Sequence, residues 1–101
     1  AGCTVLEIQG DLDMDTVAQL RDGLESLSGP GEFVLDLSGV PFMDSSALGA
    51  VVLTYKAIRA AGGRLSLAGV QPTVATVLRV TSVDQVIDVY DTVPAAEASI
   101  G

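Results

Sequence analysis

Histidine and tryptophan are absent from the 101 residues, and cysteine occurs once, as Cys3. Those absences remove a Ser-His or Cys-His catalytic pair, a His-ligated zinc and any intrachain disulfide. Cys3 lies at the start of the chain and reads as an inert thiol. Aromatic residues make up only 4% of the sequence, so the stacking platforms used by single-strand nucleic-acid binders are missing. Cations are scarce as well: five Lys and Arg stand against thirteen Asp and Glu, a formal net charge of −8. Phosphate neutralisation by cations supplies most nucleic-acid affinity, so direct nucleic-acid binding is not expected. The acidity has two readings: solubility, which charge alone favours, and complementarity to a partner with a basic patch. Long apolar runs are also lacking. The longest, Ala47 to Leu53 with Gly49 inside it, falls far short of the ~20 residues that span a bilayer. No basic segment followed by an apolar run opens the chain, so a cytoplasmic protein with no membrane span or export signal is expected. It starts Ala1-Gly2 with no initiator Met, which is compatible with an amino-terminal piece upstream.

What is present is a hydrophobic fraction of 49%, enough for one core of Val, Leu, Ile and Ala in a single domain over residues 1–101. Thr4 to Gln9 alternates loosely and reads as a strand ended by Gly10. Asp11-Leu12-Asp13-Met14-Asp15 is an acidic turn, and a helix is expected from Thr16 to Leu27, with Thr16 and Gln19 as a capping box. Asp11, Asp13 and Asp15 lack the spacing and closing Glu of a calcium loop. They read as a surface turn whose last member helps the helix to start. Glu32 to Ser38 is the clearest strand: Phe33, Leu35 and Leu37 share one face, and Val34, Asp36 and Ser38 the other. The polar Asp36 and Ser38 predict that this second face is partly solvated.

A second helix is expected over Ser45 to Ala61, with Leu48, Val51, Val52, Tyr55 and Ile58 on one stripe and Gly62-Gly63 ending it. Arg64 to Ala68 reads as a strand, Pro72 to Val80 as a helix, Gln85 to Tyr90 as the last strand, and Pro94 to Ser99 as a short terminal helix. Strands joined through helices run mostly parallel. The fold class expected is therefore α/β: a mostly parallel or mixed sheet of four to five strands, with about four helices mainly on one side.

One segment can carry chemistry: Phe42-Met43-Asp44-Ser45-Ser46-Ala47-Leu48-Gly49. It places two hydroxyls and a carboxylate at the start of the longest helix, where unpaired N–H groups and the helix dipole tolerate a phosphate. The plainer reading is a helix cap, since Asp and Ser are both preferred there, and Asp44 and Ser45 compete for that position. No G-x-S-x-G elbow, Walker loop or G-x-G-x-x-G fingerprint occurs. The only lysine, Lys56, lies within a helix, which does not suit a receiver domain.

The same segment resembles the signature of the STAS domain family, specifically the bacterial anti-sigma-factor antagonists. Gly10-Asp11-Leu12-Asp13, Val34-Leu35-Asp36-Leu37-Ser38 and Ala61-Gly62-Gly63 resemble further family features, in order, over residues 4–93. The resemblance implies a phosphoprotein rather than an enzyme. In such a partner switch the unmodified antagonist binds an anti-sigma factor that is also a serine kinase, and so frees a sigma factor in stress response or sporulation. It implies phosphorylation at Ser45, with ATP and Mg²⁺ belonging to the kinase, and reversal by a PP2C-type phosphatase. Asp13, Asp44, Ser46, Leu48 and Gly49 are the implied partner contacts. No cofactor or metal of the chain's own is implied, and a monomer or weak dimer is expected.

Two departures matter. Ala47 stands where the family usually has Gly, which should favour the helix slightly. The family also usually begins with a further strand; without it, one sheet edge is open to pairing with a second copy. The alternative function is an accessory or scaffold domain of a transporter or sensory assembly. The intact Asp44-Ser45-Ser46 favours the switch.

Overall fold

The computed structural model describes residues 3–27 and 29–100. In chain order the elements are β1 (Thr4–Gln9), α1 (Val17–Glu25), β2 (Glu32–Gly39), α2 (Ser45–Ala60), β3 (Arg64–Ala68), α3 (Pro72–Val80), a 3₁₀ turn (Val83–Gln85), β4 (Asp88–Tyr90) and α4 (Val93–Ile100). The strands lie in the order β1-β2-β3-β4, each pair parallel. Strands added always in one direction through right-handed crossovers carry their connecting helices on one face. The burial follows: Leu20 and Leu24 of α1, Val51 and Ile58 of α2, and Val74 and Leu78 of α3 share one core with Phe33, Leu35 and Leu37 of β2.

Leu35, Leu37, Leu65 and Leu67 in the two central strands are at most 1% exposed. Full burial of such a side chain contributes roughly 1.5–3 kcal/mol. These strands are thus the energetic centre of the fold. Among the described residues the opposite face is covered mainly by α4, where Ala96 packs on Val34 and Ala68 with Cys3, Tyr90 and Val93 around them. Beyond that contact Asp36 is half-buried and Ser38 exposed, so this face is partly solvated, in line with its polar residues.

The structure corrects several local expectations. The run from Gln85 to Tyr90 is not one strand. Ser82 takes a left-handed backbone (φ 62°), and the Val83 carbonyl accepts from the N–H groups of Val86 and Ile87 at 2.9 Å. A helical turn thereby absorbs the first half, leaving β4 three residues long. Helix α1 stops at Glu25 rather than Leu27. The Ser26 hydroxyl donates to the Gly23 carbonyl at 2.6 Å and the Leu27 N–H to Leu24 at 2.9 Å, a tightening that still buries Leu27.

The capping box of Thr16 and Gln19 does not form, because Thr16 makes no side-chain cap bond to the helix. Its hydroxyl donates back to the Asp11 carbonyl at 2.8 Å. The carboxylate that steadies the start of α1 is Asp13, not Asp15: Asp13 Oδ1 accepts from the N–H groups of Asp15 at 2.9 Å and Thr16 at 3.2 Å.

Candidate functional site

The ends of β1 and β2 run into two loops that one residue ties together. The Leu12 N–H donates to the Phe42 carbonyl and the Asp44 N–H to the Leu12 carbonyl, both at 2.9 Å. Leu12 and Met43 thus form an isolated parallel bridge and are buried, at 3% and 2% exposed. Strand-like alternation turns their neighbours outward: Asp11 and Phe42 are exposed, Asp13 and Asp44 half-buried. The acidic turn and the Asp-Ser-Ser segment, about thirty positions apart in sequence, become one surface.

A third element braces it. From α3, the Thr73 hydroxyl donates to the Pro41 carbonyl at 2.7 Å, and just before it the Gln71 amide donates to the Ser38 carbonyl at 2.8 Å. Val40 is fully buried between them in sequence. The loop entering α2 is therefore held from both sides. Nothing in the local sequence marks Thr73 or Gln71 for this role, whereas Leu12, an apolar residue inside an acidic run, is a visible anomaly.

Asp44 takes the cap position. Its backbone is extended (φ −96°, ψ −179°), and its side chain accepts from the Ala47 N–H at 3.0 Å. An Asp in this role contributes about 1 kcal/mol to helix stability. Ser45 is consequently the first residue of α2 and exposed. Among the described residues its hydroxyl has no hydrogen-bond partner, so it contributes no contact that modification would break. Ser46 beside it is half-buried.

Of the other residues singled out in the sequence, Gly49 is exposed one turn along α2 and a Cβ there would meet nothing within 4 Å. Leu48 is different. It is 6% exposed and packs into the main core, because it belongs to the apolar stripe of the helix. Ala47, fully buried, fills its place without disturbing the cap.

The site is uniformly acidic. The chain's Arg and Lys residues are Arg21, Lys56, Arg59, Arg64 and Arg79, none of them within residues 10–16 or 40–46. Among the described residues no group of three His, Cys, Asp or Glu could hold a metal ion. The chemistry on offer is an unencumbered primary hydroxyl at a helix start, framed by the carboxylates of Asp13 and Asp44. Beside it, a groove of about 580 Å³ runs between β1 and α1, lined among others by Leu6, Glu7, Asp11, Asp15 and Gln19.

The chain has clear relatives. It is 29% identical over 93 residues to the anti-sigma F factor antagonist of Paenibacillus polymyxa, covering 89% of this chain and 80% of that protein. Its fold matches the crystal structure of an anti-sigma factor antagonist from Mycobacterium paratuberculosis with a TM-score of 0.87 at 26% identity, over 97% of this chain and 85% of the other. It also matches a sulfate transporter family protein from Wolinella succinogenes with a TM-score of 0.82 at 21% identity, over 96% and 83% of the two chains. That last likeness is one of fold alone. The sequence model of the STAS domain matches residues 1–96, and the chain belongs to the STAS domain family.

Proposed function

We propose that this chain is an anti-sigma-factor antagonist gated by phosphorylation of Ser45. Unmodified, it binds an anti-sigma factor that is also a serine kinase, and so releases a sigma factor. The kinase brings ATP and Mg²⁺ and transfers phosphate to the Ser45 hydroxyl, and a PP2C-type phosphatase removes it. The chain is a substrate and binding partner, not an enzyme, and has no cofactor of its own. It acts in the cytoplasm as a monomer or weak dimer. Relatives named as anti-sigma factor antagonists support this role.

The observation that carries the reading is the division of labour at the start of α2. Asp44 does the capping, through Ala47, while Ser45 stands exposed beside it. A phosphate on Ser45 adds about −1.5 to −2 charge at the positive end of the helix, where the fold tolerates it. In the complex the same hydroxyl must face the γ-phosphate of the kinase's nucleotide. Once modified, phosphate faces phosphate, and like charge and bulk oppose docking. Asp13, tied to Asp44 through Leu12, is a partner contact beside the acceptor, with Ser46 and Gly49 at its rim. Leu48 supports the helix from within.

The test is a paired capture from native lysate with the wild-type chain and Ser45→Glu as baits, read by mass spectrometry. The reading expects an ATP-binding serine kinase on wild type only, and phosphate on Ser45 of the recovered bait. Retention of the same transporter or sensory-assembly subunits by both baits, with Ser45 unmodified, would replace it with an accessory-domain role.

A further inference from the structure

We propose that the docking footprint at this end of the sheet includes an apolar pair, Met14 and Phe42, which seats in an apolar recess of the partner protein rimmed by Arg or Lys. This rests on the reading above that the Ser45 surface binds a protein. Met14 is 74% exposed and Phe42 48%, and they stand on the two loops that Leu12 bonds together. Among the described residues, the other exposed large apolar side chains lie elsewhere. Val5 is on edge strand β1, Leu53 two turns along α2, Val80 at the end of α3 and Val86 before β4.

Charge selects the occupant. Asp11, Asp13 and Asp15 surround Met14 in sequence, and Asp44 follows Phe42 by two positions. A second copy would bring the same acidic ring and its own net charge of −8, and like charges across an interface oppose association. An anionic lipid surface or a nucleic acid is repelled for the same reason. A protein whose cations meet Asp11, Asp13 and Asp15 is attracted. Its apolar recess takes the flexible Met14 thioether and the rigid Phe42 ring, a residue type suited to anchoring an interface. The cationic rim grips the β1–α1 loop, while Ser45 is left to the nucleotide. Met14 is largely exposed and Phe42 about half exposed, and neither belongs to the buried core, so Met14→Ser and Phe42→Ser should stay folded, which their far-UV circular dichroism checks.

The experiment places the photo-crosslinker p-benzoylphenylalanine at position 14, 42 or 53 of the otherwise wild-type chain in native cells. Each adduct is identified by mass spectrometry. The purified partner is then titrated calorimetrically with wild type, Met14→Ser, Phe42→Ser and Leu53→Ser, in low and high salt. The proposal expects adducts to one protein from positions 14 and 42 and none from 53. It also expects roughly tenfold weaker binding for Met14→Ser and for Phe42→Ser, weaker binding in high salt, and wild-type binding for Leu53→Ser. If that partner does not phosphorylate Ser45, the surface stands and the kinase reading falls. If a kinase binds and phosphorylates Ser45 while Met14→Ser and Phe42→Ser bind like wild type, the proposal is overturned and the kinase reading survives. Absence of adducts at 14 and 42, or binding indifferent to salt, also overturns it.

Discussion

At the end of the sheet where the strands begin, Gly63 is packed against two backbone carbonyls; where they finish, Ser45 at the start of α2 stands exposed. Gly62 closes α2 in the left-handed conformation (φ 85°). Gly63 then lies so close to the β2 entry that a Cβ would sit 2.6 Å from the Gly29 carbonyl oxygen and 2.7 Å from that of Gly31. Arg64 next donates to Asp88 at 2.8 Å and to the Tyr90 hydroxyl at 3.2 Å. At the other end Ser45 and Gly49 are exposed, and the carboxylates of Asp11 and Asp15 stand with them. At Gly63 there is no room for an added methyl group; at Ser45 an exposed residue stands where a phosphate is proposed. The difference separates what holds the fold from what is free to change state.

The largest test of that contrast is Gly63→Ala. Two carbonyls and Ile58 must move to admit the methyl group, which should cost ~2–3 kcal/mol, read as a lower urea midpoint. Second is Asp44→Ala, which removes the acceptor of the Ala47 N–H. A loss of ~1 kcal/mol is expected, a fall in Tm of roughly 4–8 °C, with far-UV circular dichroism almost unchanged. Ser45→Ala should leave Tm where it is. A large loss from Ser45→Ala and none from Asp44→Ala would reverse the assigned roles.

How far these roles were readable in the sequence differs by residue. The alternation of β2 and the stripe of α2 are local patterns, and both appear in the structure as expected. The stripe even decides Leu48. Periodicity sends it inward, and it is buried in the main core. The choice between Asp44 and Ser45 as cap was not readable, because both residue types suit the position and only backbone geometry separates them. Asp13 in place of Asp15 is a similar case, decided by a turn within a five-residue acidic run. The short β4 escaped because Val83 to Ile87 carries strand-like residues into a helical turn. Thr73 and Gln71 escaped for a further reason: their partners lie 32 and 33 positions away, and no local pattern records such a contact.

Two smaller effects sharpen the comparison. Gly49→Ala meets no neighbour and lies in an exposed helix interior, so it should stabilise the chain by ~0.5–1 kcal/mol. The same change at Gly63 is destabilising, and chemical denaturation of the two variants side by side measures the difference between the ends directly. The smallest concerns Cys3. Burial, and then the Glu97 carboxylate beside it, raise its thiol pKa. A raised pKa means less thiolate at a given pH in the folded chain than in the unfolded one. Iodoacetamide should therefore label the folded chain more slowly at neutral pH, with the difference shrinking in Glu97→Gln.

The most direct test of the central claim compares the unmodified chain with one carrying phosphoserine at position 45, measuring Tm and calorimetric affinity for the purified kinase partner. The account predicts nearly equal Tm values and a loss of affinity of roughly a hundredfold on phosphorylation. Equal affinities, or a phosphorylated chain that binds weakly only because it has begun to unfold, would contradict it.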